Sequence, residues 1–262
     1  MEASEFWSIG DYSVVGDLWS SPGRDLATSL AVTGLDVVDL ATGTGVTAIA
    51  AAQHDAASVV GVDITALLLA EAARRGEAAG VEVRWVEADV VSVPLPDACA
   101  DLVVSTFGLI FAADPGRAMA EALRLTRPGG RVVFTSWPPN GLFGAIRQVM
   151  ARYLPDAPTP WHESPDGIRA IAGLEADVSE QAFRLTVGSP EEFVGLMERY
   201  SAPIVLATQT LGERWPSARA DLLAAVQAAG GPDEGENGGE NGGGFVVQVP
   251  YWVTTRAVEA DR

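Results

Sequence analysis

Asp39-Leu40-Ala41-Thr42-Gly43-Thr44-Gly45 decides the fold of this chain. The β-branched run Val37-Val38-Asp39-Leu40 leads into it, and Ala-rich, helix-forming residues from Val46 to Gln53 lead out. Glycines let the backbone approach a ligand closely, and a helix start presents N–H groups that lack helical partners. Strand, glycine turn and helix in that order place the turn at the carboxyl edge of a parallel sheet. Gly43-x-Gly45-x-x-Ala48 also satisfies the dinucleotide-binding spacing, so the turn alone leaves its ligand open.

Outward from the turn, strands and helices alternate. Ser58 to Val62 reads as a second strand, with Thr65 as N-cap of a helix over Ala66 to Ala79. Val81 to Val86 and Asp101 to Ser105 read as strands three and four. Asp114-Pro115 opens a helix to about Thr126, Pro128-Gly129-Gly130 breaks it, and Arg131 to Ser136 is strand five. Nearly continuous apolar strands between helices indicate an α/β protein with a parallel sheet covered on both faces. Beyond Trp137, prolines punctuate the chain around a helix at Leu142 to Tyr153. A strand at Val178 to Val187, helices at Pro190 to Tyr200 and Glu213 to Ala229, and a strand at Phe245 to Arg256 follow. Residues 230–244 are rich in Gly, Glu and Asn and read as a flexible loop. The division that results is a helical N-terminal cap segment at 1–34, a core at 35–137, a cap insertion at 138–177 and a sheet-completing segment at 178–262.

Composition excludes several functions. The 262 residues carry 17 basic and 35 acidic side chains, a net charge of −18, which argues against a nucleic-acid partner. Every basic residue is Arg, so lysine-dependent Schiff-base and P-loop chemistry are excluded. One cysteine, Cys99, and two histidines, His54 and His162, make a metal site unexpected. No apolar run reaches the roughly 18–20 residues of a membrane span, and Met1 to Gly10 does not read as a signal peptide. A cytoplasmic protein without a membrane partner is expected.

Two further carboxylates follow strands. Asp63 ends the second, where a carboxylate can accept both hydroxyls of a ribose, and Asp89 follows the third, placed to meet an adenine edge. Asp39, Asp63 and Asp89 line one crevice if the sheet is parallel.

With these residues in view, the chain resembles the class I S-adenosylmethionine-dependent methyltransferases, in the group related to ubiquinone- and menaquinone-biosynthesis methyltransferases. Asp39-x-Ala41-x-Gly43-x-Gly45 is similar to the family's first motif, Gly61-Val62-Asp63-Ile64 to its second-strand motif and Glu87-Ala88-Asp89 to its third. Ser105-Thr106-Phe107-Gly108 with Phe111-Ala112-Ala113-Asp114 resembles the stretch after strand four, and Arg127-Pro128-Gly129-Gly130-Arg131 the loop before strand five. Trp7-x-x-Gly10-Asp11-Tyr12 looks like the segment that folds over the cofactor.

The resemblance covers about residues 5–137 and implies a Rossmann-like, doubly wound, mostly parallel seven-stranded sheet with an antiparallel last strand and a small helical cap. It implies S-adenosylmethionine as cofactor and S-adenosylhomocysteine as product, with no metal. Asp39, Ala41 and the Gly43 and Gly45 backbone would hold the methionine end. Asp63 would bind the ribose, Ile64 and Val90 would flank the adenine, and Asp89 would meet its amino group. Ser105 and Phe107 would line the methyl-donor side, and Tyr12 would close over it.

A sulfonium methyl needs mainly proximity and orientation, and a base only where the acceptor must lose a proton. Asp11, Tyr12, His162, Glu163 and Tyr200 are candidates; His162, which ordinarily titrates near neutrality, and Tyr12 lead. Phe6, Trp7, Phe107, Phe111, Trp137, Phe143 and Trp161 come from segments expected to gather near the methyl donor, and a pocket lined by them suits a small hydrophobic or aromatic substrate. The missing Asn/Asp-Pro-Pro-aromatic motif and the badly placed Cys99 count against DNA methylation. The lysine-free composition fits a GC-rich genome, where secondary-metabolite tailoring is common. A homodimer is left open. Two rivals stand: a non-methylating homologue that keeps the cofactor fold, as partner protein or rearrangement catalyst, and an NAD(P)-dependent oxidoreductase, which the absence of a Tyr-x-x-x-Lys pair disfavours.

Overall fold

A strand covered on both faces must be apolar at consecutive positions, and β1 (Asp36–Leu40) is buried from Val37 to Leu40 without a break. The structure is a computed structural model that describes residues 3–156, 159–233 and 244–260. Seven further strands follow among these residues: β2 (Ser58–Asp63), β3 (Arg84–Glu87), β4 (Ala100–Ser105), β5 (Thr126–Ser136), β6 (Asp177–Val187), β7 (Gly231–Pro232) and β8 (Phe245–Ala257). They form one sheet in the order β3-β2-β1-β4-β5-β8-β6, with the two-residue β7 paired to β8 beside that path. β1 to β5 run parallel, and β8 runs antiparallel to both β5 and β6. The seven-stranded, mostly parallel sheet is the one expected, with the chain's last strand antiparallel inside it.

The strand order locates the site. The chain winds from β1 outward to β2 and β3, then returns to place β4 on the other side of β1. A crevice opens at the carboxyl ends where that direction reverses.

Helix boundaries follow local chemistry. Asp114 accepts the backbone N–H of Arg117 at 3.0 Å, Pro115 takes the first helical position, and the helix Pro115–Leu125 buries Ala118, Met119, Ala122 and Leu125 along one face. Ser189 and Pro190 open Pro190–Tyr200 in the same way. The helix Ala66–Ala79 ends at Gly80, whose positive φ of 68° closes it. Thr65 does occupy its N-cap, yet its buried hydroxyl makes no cap hydrogen bond.

Some elements differ from expectation. β3 begins at Arg84, because the Val81 N–H is still held by the Gly76 carbonyl at the helix end and pairing with β2 starts only at Arg84. β5 begins at Thr126, and Pro128-Gly129-Gly130 forms an irregularity in it, tied to Val258 by two backbone hydrogen bonds. The helix Ala202–Leu211, unforeseen in the sequence, packs beside Pro190–Tyr200. Of the loop expected at 230–244, residues 234–243 lie outside the described residues, and Gly231–Pro232 pairs with Phe245 and Val246.

Above the carboxyl edge sit the helices Ala3–Trp7, Tyr12–Gly16 and Leu142–Tyr153, with the three helices from Pro190 to Ala229. The Asp11 N–H donates to the Tyr200 carbonyl at 3.2 Å, so the segments before and after the core close on each other, and the Tyr153 hydroxyl donates to Asp221 at 3.0 Å, which ties together two segments that follow it.

Beneath the glycine turn, the Trp85 indole lies on glycines. A Cβ added to Gly61 would fall 2.5 Å from its Cζ3, and one added to Gly45 2.7 Å from its Cη2. Gly61→Ala is therefore expected to lower stability by about 1–3 kcal/mol through overpacking. The urea midpoint measures this, and an unshifted midpoint would refute the placement of the indole.

Candidate functional site

Two buried carboxylates stand at neighbouring strand ends and do different work. Asp63, at the end of β2, accepts the Gly43 N–H at 2.8 Å on one oxygen and the Thr65 N–H at 2.9 Å on the other. Each oxygen keeps a lone pair, and the side chain lines the crevice. Burial pushes its pKa up, against the pull of those two N–H groups. Asp39 accepts the Thr42 hydroxyl at 2.5 Å and the Ala48 N–H at 3.2 Å with the same oxygen. Burial pushes its pKa to about 7, with Thr42 and Ala48 opposing and Asp63 adding repulsion.

The crevice has a carboxylate end and a turn end. At the first, Asp63, Ile64, Leu68, Asp89 and Val90 face one another. Asp89 accepts the Val91 N–H at 3.0 Å in a local turn, which fixes its direction. At the other end, Gly43, Thr44, Thr47, Thr106 and Ser20 enclose the start of the helix Val46–Gln53. The hydroxyls of Thr47 and Thr106 hydrogen-bond at 2.8 Å and join that helix to the segment after β4. Ala41, Gly43 and Gly45 all have positive φ, at 53°, 55° and 81°. A Cβ on Gly43 would meet only Tyr12 Cε1 at 3.7 Å, so the turn is open toward the crevice there.

A second cavity, of ≈ 280 Å³, adjoins the crevice. Tyr12 and Phe107 line both of its neighbours and the cavity itself, and so form the junction. Phe107 holds a φ of 57°, unusual for a bulky residue, with its N–H donating to Thr135 Oγ1 at 2.8 Å and its ring stacked on Trp137 at 3.6 Å. The Tyr12 hydroxyl accepts from Trp19 Nε1 at 3.1 Å, and burial raises its pKa. Beyond the junction, Trp19, Trp137, Phe143 and Met197 form apolar walls. Arg147, His162 and Glu163 form a polar end, with Arg147 and Glu163 ion-paired.

Most of the expected residues meet in these spaces: Tyr12, Ala41, Gly43, Asp63, Ile64, Asp89, Val90 and Phe107 around the crevice, and Trp7, Phe111, Trp137 and His162 at the crevice mouth or the cavity. Others stand behind the walls. Asp39 is turned into the glycine turn, and Gly45 faces the Trp85 indole. Ser105 donates to the Leu40 carbonyl and accepts from the Leu109 N–H, so Thr106, one residue on, faces the crevice instead. Phe6 packs edge-on to Trp7, and Trp161 tilts over Phe134 of β5; neither lines the cavity. Asp11 caps the helix Tyr12–Gly16, and Tyr200 presents only its carbonyl, to the Asp11 N–H. His162 is 6% exposed, and burial lowers its pKa to about 4, against the backbone of Trp137, so it stays neutral at pH 7 and does not titrate near neutrality. Phe143 lines the cavity as expected, whereas Trp19 and Arg147 were not foreseen; the four-residue spacing of Arg147 from Phe143 on one helix was the available signal for the arginine.

No group of three or more His, Cys, Asp or Glu suited to a metal occurs among the described residues, and no described helix is long and apolar enough to cross a membrane.

The comparisons with known proteins agree with this geometry. Residues 38–134 match the family model of methyltransferase domains. The chain is 29% identical over 233 residues to the uncharacterized protein Rv1403c of Mycobacterium tuberculosis, covering 85% of this chain and 84% of that one. It is 42% identical over 123 residues to the demethylmenaquinone methyltransferase of Thermus thermophilus, covering 45% of this chain and 56% of that protein. Among solved structures, the YcgJ protein of Bacillus subtilis superposes with a TM-score of 0.60 at 18% identity, over 92% of this chain and 100% of that one, a likeness of fold. Residues 38–134 thus carry a methyltransferase domain similar to that of the demethylmenaquinone methyltransferases, and S-adenosylmethionine is the cofactor that this likeness implies. The residues present fit that group: Asp63 has lone pairs to spare at the crevice, and the Gly43 backbone leaves room beside it.

The raised pKa of Asp39 has a consequence for stability. Its carboxyl holds a proton in the folded state up to about pH 7 but loses it near pH 4 when unfolded. Between these values the folded state binds more protons, so this contribution declines as pH rises from 4 to 7. Asp39→Asn should gain stability relative to the wild type over that range, measured by urea unfolding at pH 5 and pH 8. Parallel pH profiles for the two proteins would refute the assignment.

Proposed function

We propose that this chain transfers a methyl group from S-adenosylmethionine to O, N or C of a small, hydrophobic or aromatic metabolite held in the aromatic cavity. The observation that carries the reading is the junction: Tyr12 and Phe107 line the cofactor crevice and the cavity at once. When bound, S-adenosylmethionine supplies a sulfonium methyl whose bond to sulfur breaks as the acceptor atom bonds to its carbon.

The side chains contribute orientation and dryness. In this reading Asp63 accepts the ribose hydroxyls, Asp89 meets the adenine amino group, Ile64 and Val90 clasp the ring, and the Gly43 turn holds the methionine end. Asp39 acts from behind, by fixing the turn through Thr42 and Ala48. The Trp137 and Phe107 stack and Trp19 exclude water at the junction. The Tyr12 hydroxyl keeps its proton at neutral pH and is free to donate it to a polar atom beside the reacting centre. A neutral His162 of low pKa is a weak base, and Glu163 is held by Arg147, so proximity carries most of the acceleration.

Calorimetric titration tests the reading. S-adenosylmethionine and S-adenosylhomocysteine should bind with micromolar affinity while NADH gives no heat. Asp63→Ala should weaken both sulfur cofactors by about 1.5–3 kcal/mol for each charge-assisted hydrogen bond lost. An unchanged affinity in the variant would remove Asp63 from the ribose. Cofactor binding without methyl transfer across acceptor panels would favour the non-methylating homologue.

A further inference from the structure

Besides the Tyr12 hydroxyl at the junction and Ser201, the polar groups lining the acceptor cavity are gathered in one cluster. Phe143 stands against Trp137 at 4.1 Å and Trp19 at 5.2 Å, and Trp137 stacks on Phe107, so Phe143 marks the donor-side half. Arg147 follows Phe143 by four residues on the helix Leu142–Tyr153, about 6 Å further along its axis. There it pairs with Glu163, whose side chain is 7% exposed, next to the buried His162. Arg147 and Glu163 are the only charged side chains lining the cavity among the described residues. The short turn Trp161–Glu163 explains the grouping: Trp161 tilts over Phe134 in the core, while the next two residues face the cavity.

This arrangement selects by charge and by hydrogen-bonding type. The ion pair is already balanced, so a carboxylate would meet Glu163 and an ammonium would meet Arg147 in a wall of low polarity. An uncharged apolar end would strip water from the pair without replacing its hydrogen bonds. A hydroxyl is the neutral group that both donates to a carboxylate and accepts from a guanidinium. Flat aromatic walls between the two ends favour a conjugated body.

We propose that the acceptor is an uncharged, flat, conjugated molecule with a hydroxyl at the end remote from the methylated atom, and that Arg147 and Glu163, beside His162, read that hydroxyl. The proposal rests on the methyltransferase reading. It makes the cluster a specificity device and leaves activation of the acceptor to proximity at Tyr12 and Phe107.

Two bicyclic probes separate the alternatives: naphthalene and 2-naphthol, titrated calorimetrically into the protein saturated with S-adenosylhomocysteine. The wild type should bind the hydroxylated probe about tenfold more tightly, as a hydrogen bond to a charged group contributes. Glu163→Gln and the charge-balanced double variant Arg147→Gln/Glu163→Gln should each reduce that ratio to about threefold or less. Both should keep the affinity for S-adenosylhomocysteine, which also shows that they fold. Equal or absent binding of the two probes to the cofactor-loaded wild type, or a ratio unchanged in both variants, overturns this proposal alone. A wild type that does not bind S-adenosylhomocysteine overturns the methyltransferase reading, and this proposal with it.

Discussion

The carboxyl edge of the sheet is organised by one hydrogen bond, from the Gly43 N–H to Asp63. It extends the β1–β2 ladder, which ends with the Thr42 N–H on the Val62 carbonyl, from the strands into the turn, and so ties the turn after β1 to the side chain at the end of β2. A buried carboxylate is costly unless its lone pairs are met, and the fold meets only part of the demand at Asp63, one backbone N–H on each oxygen. The remainder is left to what enters the crevice. Asp39, one strand away, is its opposite: one oxygen takes both the Thr42 hydroxyl and the Ala48 N–H, and the carboxyl is among the lining residues of neither the crevice nor the adjoining cavity. Burial, with a lesser repulsion from Asp63, raises the pKa of Asp39, which favours charge on the carboxylate that faces a ligand.

Much of the fold was legible in the sequence because its signals are local. Continuous apolar runs mark β1 and β4, Asp-Pro and Ser-Pro pairs mark helix starts, and the glycine turn marks the carboxyl edge. The helix Ala202–Leu211 escaped because its residues are apolar nearly all round, although Ser201 before Ala202-Pro203 repeats the start signal seen at Ser189-Pro190. The beginning of β5 escaped because Pro128-Gly129-Gly130 reads as a breaker, while the strand absorbs it as an irregularity against β4.

Site residues were legible where backbone geometry alone decides them and illegible where side-chain direction does. Asp63 and Gly43 follow from strand end and turn. Ser105 and Thr106 are adjacent hydroxyl residues at the exit of β4, and a shift of one position sends one to the Leu40 carbonyl and the other to the crevice. Aromatic residues pose the same problem at longer range. Trp161 and His162 are neighbours, yet one packs in the core and the other lines the cavity.

Phe107 shows how the two spaces are kept in register. A left-handed conformation costs a bulky residue on the order of 1–3 kcal/mol and persists only where the surroundings enforce it. Here the Thr135 hydroxyl takes its N–H and the Trp137 ring covers its face. Both partners belong to β5 or its immediate exit, the rigid centre of the sheet, whereas Tyr12 comes from the N-terminal segment held by Tyr200. One wall of the junction is thus built on the sheet and the other on the cap. A reaction that depends on placing an acceptor atom in line with a methyl group needs a fixed wall against which the second can close. The strain at Phe107 is the cost of having that wall where the crevice meets the cavity.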